Sequence, residues 1–164
     1  AGNMTAQKNT AKLILTHGLP GSGKSTWAKK QVDENCIRVN RDDIRMELYG
    51  ETYMRPVGQQ EKAVTKLQRE RVFTALREGQ TVIVDDTNLG LRTARSWINV
   101  AREMRVAIEH VYFDVDVEEC KRRNRLRDRS VPETVYDLMG EHIREDNKTV
   151  KRLYTDEKGL ILRR

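Results

Sequence analysis

Short apolar runs alternate along the chain with longer segments whose apolar residues recur every three or four positions. The short runs are rich in Val, Ile and Leu, which is typical of strands buried on both faces. The longer segments have the spacing of helices with one buried face. We predict strands at Lys12 to Thr16, Cys36 to Asn40, Thr81 to Val84, Val106 to Phe113 and Gly159 to Leu162.

Helices are predicted in the segments between these strands. The longest lies from Gln59 to Glu78, where Gly79 follows as a stop signal. Ser130 and Glu133 have the capping-box spacing of another helix start. The remaining predicted helices are Lys24 to Glu34, Arg41 to Tyr49, Arg92 to Met104, Glu118 to Arg127 and Pro132 to Asn147, the last with a buried stripe of Val135, Leu138, Met139 and Ile143.

Strands and helices therefore alternate in the order expected for an α/β fold. This order favours a parallel sheet of four to five strands with helices on both faces and right-handed crossovers. We predict one domain over residues 11–164, and we interpret residues 1–10 as a disordered N-terminal arm that is partly a cloning remnant. Ligands of such sheets bind beyond the carboxyl ends of the strands, so polar residues that follow strands are the candidates for function.

The segment from Gly18 to Ser25 contains the phosphate-binding pattern Gly-x4-Gly-Lys-Ser. A predicted strand precedes it and a predicted helix follows it, which is the context that a P-loop requires. Glycines let the backbone turn so that its N–H groups point at phosphate oxygens, and the helix start adds a positive dipole end. The sequence therefore predicts a sheet of P-loop NTPase type that binds ATP or another NTP.

The P-loop pattern assigns chemistry to its last residues. Lys24 places a positive charge between the β- and γ-phosphates, and the Ser25 hydroxyl binds Mg²⁺. Ser25 is thus the predicted metal ligand and Mg²⁺ the predicted cofactor. The predicted nucleotide- and phosphate-binding residues of this loop are Gly18, Gly21, Ser22, Gly23, Lys24, Ser25 and Thr26.

Several classes of protein share the P-loop, so the rest of the sequence must separate them. A guanine-nucleotide switch uses an Asn-Lys-x-Asp motif, and the nearest match, Asn147 to Val150, lacks the Asp. Motor proteins are usually longer than 164 residues. A small kinase that transfers a phosphoryl group to a hydroxyl fits the length best.

A kinase of this kind needs a carboxylate near the P-loop to accept the proton of the acceptor hydroxyl. The segment from Asn40 to Arg45 follows the second predicted strand and contains Asp42. Asp42 and Arg45 are three residues apart, so a helical turn places them on one face, where they could hold a hydroxyl and a neighbouring anion. The alternative is a helix start favoured by its acidic residues, and both interpretations can hold together.

A second acidic segment, Asp85 to Asn88, closes the Thr81–Val84 strand. A strand-end Asp either contacts the water shell of a metal or orients the acceptor. The alternative is a plain turn, which Asp, Thr and Asn favour. No separate role is assigned to Asp85.

A basic segment runs from Lys121 to Arg129. Arg123 and Arg127 are four residues apart, so we predict that they share one helical face. Arginines that close over ATP stabilise the charge on the transferring phosphoryl group, and we predict a helical lid over residues 118–148. The alternatives are a solvated basic face and a nucleic-acid patch.

Composition changes this picture little. The chain has 31 Lys and Arg against 25 Asp and Glu, a net charge of +6, which suits a polyanionic partner and also any nucleotide-binding enzyme. Cys36 and Cys120 fit no metal or disulfide pattern, which indicates a reducing cytoplasm. No apolar run is long enough for a membrane span. We assign no metal or catalytic role to His17, His110 and His142, which fall in separate elements.

Taken together, these motifs resemble the 5′-polynucleotide kinase domain of the phage polynucleotide kinase-phosphatase family. The similarity runs from about Lys12 to Glu145 and keeps the order and spacing of the clusters. The matching residues are the P-loop with Ser25-Thr26-Trp27-Ala28, Asn40-Arg41-Asp42-Asp43 with Arg45, Asp86-Thr87-Asn88-Leu89, Phe113-Asp114-Val115, Arg123-Asn124 with Arg127, and Val131-Pro132.

The resemblance implies transfer of the γ-phosphate of an NTP to the 5′-hydroxyl of DNA or RNA, in nucleic-acid repair. The general base of the family falls on Asp42, and its acceptor-phosphate arginine falls on Arg45. The net positive charge would then attract the polynucleotide. The implied catalytic residues are Asp42, Lys24, Arg123 and Arg127, and the implied acceptor-binding residues are Asp42, Arg45, Asp86 and Thr87.

The chain departs from the bifunctional members of this family, which also have a phosphatase motif of the Asp-x-Asp-Gly-Thr type. Asp114 and Asp116 are not followed by Gly-Thr, so we expect no phosphatase within this chain. A companion phosphatase domain outside it, a homo-oligomer, and the host cytoplasm as the location of a phage-encoded enzyme are consistent with the resemblance.

Two other functions stay open at this point. A small P-loop kinase could act on the hydroxyl of a sugar, nucleoside or antibiotic, and a nucleotide-regulated RNA-binding module would have no transfer chemistry. Arg45 and the positive net charge favour an acceptor that already bears phosphates.

Overall fold

The computed structural model describes residues 10–50, 58–88, 90–127, 132–137, 139 and 160–163. Within these ranges one or two helices follow each of the first four strands, as the sequence predicts. The strands are β1 (Lys12–His17), β2 (Cys36–Val39), β3 (Thr81–Val84), β4 (Ala107–Phe113) and β5 (Leu160–Arg163). The helices are α1 (Lys24–Gln31), α2 (Arg41–Tyr49), α3 (Gly58–Arg77), α4 (Leu91–Met104) and α5 (Val117–Arg125).

The five strands form one parallel sheet in the order β2-β3-β1-β4-β5. The strand that leads into the P-loop, β1, lies at the centre, with Leu13 opposite Val82 of β3 and Ile108 of β4. The carboxyl ends of β2, β3 and β4 therefore flank the P-loop at one edge of the sheet, where ligands of such sheets bind. The predicted α/β class is confirmed.

Helices cover both faces of this sheet. Leu13 and Leu15 are fully buried in the main core, which α3 and α4 complete on one face. Side chains alternate along a strand, and on the other face Phe113 contacts Trp27 of α1 edge-on, with ring centroids 5.8 Å apart. None of the described helices combines the length and the apolar character that a membrane crossing requires.

Most predicted element boundaries hold to within two residues. The helix α1 ends at Gln31 instead of Glu34, because Val32 is extended and the Asp33 carboxylate accepts a hydrogen bond from the Asn35 N–H, forming a turn. In the helix predicted from Pro132 to Asn147, residues 133–137 are helical. There Tyr136, absent from the predicted stripe, is fully buried with residues that include Leu19 of the P-loop. The predicted arm at 1–9, the loop at 51–57 and residues 140–147 lie outside the described residues.

Two histidines lie side by side at the end of β1. His17 Nε2 is 2.9 Å from Nδ1 of His110 on β4, and the rings of both stack with that of Tyr112. His17 and His110 fall in separate elements, as expected, but the pairing of β1 with β4 brings their rings together. The described residues contain no group of three or more His, Cys, Asp or Glu that could hold a metal ion.

Acid should destabilise the fold through His110. Burial lowers the pKa of His110 from 6.5 to about 4, so the ring stays neutral in the folded chain while the unfolded chain takes up a proton. The contribution of neutral His110 to the free energy of unfolding is fully present above the unfolded pKa. It is lost as the pH falls from there toward the folded pKa, at roughly 1.4 kcal/mol per pKa unit. Urea titrations at about pH 7 and about pH 5 should therefore show that the free energy of unfolding falls less between these two pH values in His110→Gln than in the wild type. An equal loss in both proteins would contradict this role.

Candidate active site

One cavity of about 560 Å³ opens at the carboxyl edge of the sheet, between the P-loop, α2 and α5. It brings together the clusters that the sequence singles out. Two predicted residues, Gly18 and Ser22, lie in the P-loop without lining this cavity. The predicted residues in its walls are Gly21, Gly23, Lys24, Ser25, Thr26, Arg123 and Arg127 on the P-loop side, and Asp42, Arg45, Asp86 and Thr87 on the side of α2 and β3.

The P-loop is too tightly turned for side chains at its glycines. A Cβ atom at Gly18 would lie 2.6 Å from Ser22 Oγ and 3.0 Å from Phe113 Cβ. Gly21 and Gly23 have φ angles of 83° and 99°, a region that glycine adopts without steric cost. These three positions therefore need glycine for the backbone to follow the loop.

Lys24 is buried at the start of α1. Its Nζ donates a hydrogen bond to the Leu19 carbonyl oxygen at 2.8 Å, so the ammonium group lies against the loop. Burial lowers the pKa of Lys24 to about 8, while Asp85 and Asp86 act in the opposite direction. The first turn of α1 contains no acidic side chain, which leaves its positive end open to an anion. The phosphates of a nucleotide would supply the negative charge that this position lacks.

Asp42 and Arg45 line the cavity across from the P-loop. Asn40 caps α2, because its side chain accepts a hydrogen bond from the Asp43 N–H at 2.9 Å. Within the first turns of this helix, Arg45 Nη1 donates to Asp42 Oδ1 at 2.7 Å. The Asp42 side chain keeps 58% of its surface exposed, which leaves room for a ligand. The capped helix start and the Asp42–Arg45 pair thus exist together.

Glu61 of α3 holds the arginines of this wall and was not identified from the sequence. Its Oε1 accepts from Arg45 Nη2 at 2.8 Å, and its Oε2 accepts from Arg41 Nη2 at 3.0 Å. Burial acts to raise the pKa of Glu61, but the hydrogen bonds and charges of Arg45 and Arg41 lower it below its ordinary value. Glu61 therefore stays ionised and fixes the position of Arg45.

Asp86 and Thr87 connect the end of β3 to its neighbours. Asp86 Oδ1 accepts from the Arg41 N–H at 2.9 Å, and Oδ2 accepts from Gln68 Nε2 at 2.6 Å. Burial raises the pKa of Asp86 to about 7 in spite of these bonds. The Thr87 carbonyl accepts from the Gly18 N–H at 3.4 Å. This segment is therefore tied to α2, α3 and the P-loop instead of forming an isolated turn.

Asp85 has different partners from Asp86. It is fully buried, and its Oδ2 accepts from Nε of Arg38 at 2.6 Å. The same guanidinium group lies 3.5 Å from Ser25 Oγ. Asp85 Oδ1 accepts no hydrogen bond from the described part of the chain. Arg38, which the sequence did not single out, thus links Asp85 to the predicted metal ligand.

The basic segment after β4 is divided between the cavity and the surface. Arg123 Nη1 donates to the Gly21 carbonyl oxygen at 3.0 Å. The prediction that Arg123 and Arg127 share a helical face is wrong, because α5 ends at Arg125, but both arginines line the same cavity. Neighbouring cations are neutralised in the pairs Lys121–Asp137, Arg122–Glu119 and Arg125–Glu133.

A parallel sheet whose central strand leads into a P-loop with a buried lysine defines a P-loop nucleotide-binding protein. The family model described as an AAA domain matches residues 13–145. The chain therefore belongs to this AAA domain family.

Relatives of the chain combine this region with others. It is 30% identical over 135 residues to the "Putative bifunctional polynucleotide kinase/RNA ligase" of Autographa californica nuclear polyhedrosis virus, covering 76% of this chain and 19% of that protein. It is 25% identical over 117 residues to the "Bifunctional polynucleotide phosphatase/kinase" of Schizosaccharomyces pombe, covering 71% of this chain and 24% of that protein. A chain in the solved structure of the Pnkp1/Rnl/Hen1 RNA repair complex is similar, with a TM-score of 0.77 and 28% identity over 89% of this chain and 48% of that one. The chain thus spans about a fifth to a quarter of these two curated relatives.

Proposed function

We propose that the chain is a polynucleotide 5′-hydroxyl kinase, which transfers the γ-phosphate of ATP or another NTP to the 5′-hydroxyl of DNA or RNA in nucleic-acid repair. The observation that carries the proposal is the cavity in which Asp42 and Arg45 lie across from the P-loop. A carboxylate beside an arginine suits a hydroxyl group that has a phosphate close by, as the 5′ end of a strand does. Relatives named for polynucleotide kinase activity support it.

The donor nucleotide would bind on the P-loop side of the cavity. The loop amides and Lys24 would contact the phosphates, and Arg123 of α5 and Arg127 just after it would approach the transferring group. These groups are positive before the reaction starts, so they stabilise the charge of the transition state without rearranging. The proposed donor-binding residues are Gly18, Gly21, Ser22, Gly23, Lys24, Ser25 and Thr26 of the P-loop, with Arg123 and Arg127.

The acceptor would bind on the α2 side, with its 5′-oxygen in line with the bond that breaks. That oxygen forms a bond to the γ-phosphorus while the bond from phosphorus to the bridging oxygen breaks, and the electron pair leaves with the NDP. The proton of the hydroxyl passes to the carboxylate of Asp42. Arg45 would bind the nearest backbone phosphate, and Asp86 and Thr87 would complete the acceptor site.

Mg²⁺ enters this proposal together with the nucleotide. Asp85 Oδ1 and Ser25 Oγ are hard oxygen ligands in the wall of one cavity, and Asp85 Oδ1 is a buried carboxylate oxygen without a partner among the described residues. Mg²⁺ usually keeps several waters and binds through few protein oxygens plus phosphates, so these residues fit it. Ser25 would hold the ion and Asp85 its water shell, and the ion would supply positive charge beside the phosphates of the nucleotide. A cytoplasmic location belongs to the same proposal, because Cys36 and Cys120 are both free thiols.

The proposal is tested with γ-labelled ATP, Mg²⁺ and a 5′-hydroxyl oligonucleotide. We expect label on this oligonucleotide and none on the same oligonucleotide with a 5′-phosphate. Free nucleosides and sugars are offered in parallel. Label on a small acceptor without label on the oligonucleotide would reject the proposal in favour of a small-molecule kinase, and nucleotide-dependent RNA binding without any transfer would favour a binding module.

Arg45→Ala should weaken acceptor use. Loss of a hydrogen bond to a charged group is worth roughly 1.5–3 kcal/mol, so the KM for the oligonucleotide should rise on the order of 10- to 100-fold. NTP affinity should not change, because the side-chain partners of Arg45 are Asp42 and Glu61 and not residues of the P-loop. Arg71→Ala is the control, since Arg71 also pairs with a glutamate but lies outside this cavity. A normal acceptor KM in Arg45→Ala would refute the assignment.

A further inference from the structure

The cavity of about 560 Å³ that contains the P-loop, Asp42 and Arg45 is called the catalytic cavity below. Two more cavities continue it along the surface between α3 and α4. The inner one, of about 430 Å³, shares Arg41, Asp86 and Thr87 with the catalytic cavity. The outer one, of about 470 Å³, shares Arg69 and Arg92 with the inner one. The two cavities therefore form a continuous depression, the α3–α4 groove, which starts on the proposed acceptor side of the site and leads away from the P-loop.

The α3–α4 groove and its edges are positively charged. Among the described residues, its inner cavity has one carboxylate in its lining, Asp86, and its outer cavity has one, Glu103. Each cavity has three arginines in its lining. The exposed cations near it form no ion pair within the described part of the chain, which leaves their charge available to a ligand. Of these cations, Arg92 and Arg95 on α4 line the groove, and Lys62 and Lys66 precede Arg69 on α3 at helical spacing.

Arg69 lies in the wall that the inner and the outer cavity share, and two contacts hold its guanidinium group in place. Its guanidinium carbon lies 5.1 Å from the centroid of the Trp97 ring, and its Nη2 donates a hydrogen bond to Ser96 Oγ. A guanidinium group stacked on an aromatic face loses little freedom when it binds an anion. Arg69 is therefore a preformed contact in the middle of the groove, with Arg92 and Arg95 across from it on α4.

We infer that the α3–α4 groove binds the single-stranded part of the acceptor polynucleotide that follows its reactive 5′ nucleotide, with Arg69, Arg92 and Arg95 contacting backbone phosphates. The inference rests on the proposed function, which places the 5′-hydroxyl at Asp42 and so fixes the strand direction. The groove joins the cavity at Asp86 and Thr87, on the acceptor side. Positive groups spaced along a helix suit an anion that repeats, whereas a small acceptor would end inside the catalytic cavity.

The test compares two acceptors with the same 5′-hydroxyl. One is a 12-nucleotide single strand, and the other is a nucleoside 3′-monophosphate, which has the first phosphate but no strand beyond it. The groove variant is Arg92→Ala with Arg95→Ala. The control is Lys29→Ala with Lys30→Ala, which removes two exposed charges from α1, outside the groove. Acceptor KM, kcat and the Kd of a fluorescent 12-nucleotide strand are measured at several salt concentrations.

The groove variant should raise the KM and Kd for the 12-nucleotide strand about tenfold at low salt, with little change in kcat. The slope of log affinity against log salt should become shallower by about 1.4, because each phosphate that is no longer neutralised accounts for about 0.7. The nucleoside 3′-monophosphate should show no change, and the control pair should match the wild type. An unchanged strand affinity in the groove variant, or an equal KM increase for both acceptors, would overturn the inference. If the wild type transfers phosphate to neither acceptor, the proposed function fails, and the Kd comparison still decides whether the groove binds a strand.

Discussion

Replacement of Lys24 with methionine is expected to lower the rate of phosphoryl transfer by at least about 10²- to 10³-fold, the range for losing one preorganised charge-stabilising group. Lys24 is the buried cation at the base of the proposed donor site, held 2.8 Å from the Leu19 carbonyl oxygen. Methionine has a similar length but no charge, so it removes the interaction with the β- and γ-phosphates while leaving little empty space. Single-turnover transfer to a 5′-hydroxyl oligonucleotide measures the loss.

The same variant should unfold less readily than the wild type when no nucleotide is bound. Burial lowers the pKa of Lys24 from 10.5 to about 8, so at neutral pH folding places an ammonium group where charge is disfavoured. At roughly 1.4 kcal/mol per pKa unit, removing the charge should stabilise the fold on the order of 3 kcal/mol. This gain should be full below about pH 8 and should shrink as the pH rises from there toward the unfolded pKa of 10.5, above which the lysine is neutral in both states. Urea titrations of the two proteins measure it.

Lys29→Met separates these effects from general consequences of losing a lysine. Lys29 lies on the same helix and is exposed. It should alter neither transfer nor stability appreciably. Near-normal transfer in Lys24→Met would contradict the proposed donor site, and a less stable Lys24→Met protein would contradict the cost of burying this charge.

The sequence predicts those features whose signals are local. The strand–loop–helix arrangement around Gly18 to Ser25 follows from glycine spacing and from the apolar run before it. The Asn40–Asp43 segment has the residues of a helix cap, and the structure forms that cap. Because the strands are parallel, their polar ends must meet at one edge, and for this reason Asp42, Asp86 and the P-loop share a cavity.

Residues that act through distant partners could not be identified in this way. Glu61 and Arg45 are 16 residues apart, and Arg38 and Asp85 are 47 apart. In a helix with many charges, Glu61 has the pattern of a solvated residue, and only the packing of α3 against α2 gives it two arginine partners. His17 and His110 likewise depend on which strands become neighbours, which hydrophobic periodicity does not specify.

The arginine segment shows a different limit. A spacing of four predicts a shared face only while the helix continues, and α5 ends before Arg127. The two arginines nevertheless line the same cavity, because the chain turns after Leu126. The neighbouring cations pair with acidic residues of α5 and of residues 133–137, so counting charges in the sequence overstates the free positive charge there.

Asp42→Asn should reduce kcat by roughly 10²- to 10⁴-fold, the range for loss of a general acid–base group. The amide has nearly the shape of the carboxylate but cannot accept the proton of the 5′-hydroxyl at neutral pH. Because the Asp42 side chain is 58% exposed and its ion pair with Arg45 is partly solvated, the free energy of unfolding should change by less than about 1 kcal/mol. A fall in kcat together with normal NTP binding and normal stability would therefore report on the chemical step.

Asp43→Asn is a closely matched control for this experiment. Asp43 is the next residue of α2, its side chain is also 58% exposed, and it too forms an ion pair with an arginine, Arg38. It does not line the catalytic cavity, whereas Asp42 does. If Asp42 is the base, the two substitutions should differ in kcat by at least about 10²-fold, although each removes one exposed carboxylate from the same helical turn. Similar rates in the two variants would mean that the loss comes from the local charge of α2, and another group would then have to accept the proton.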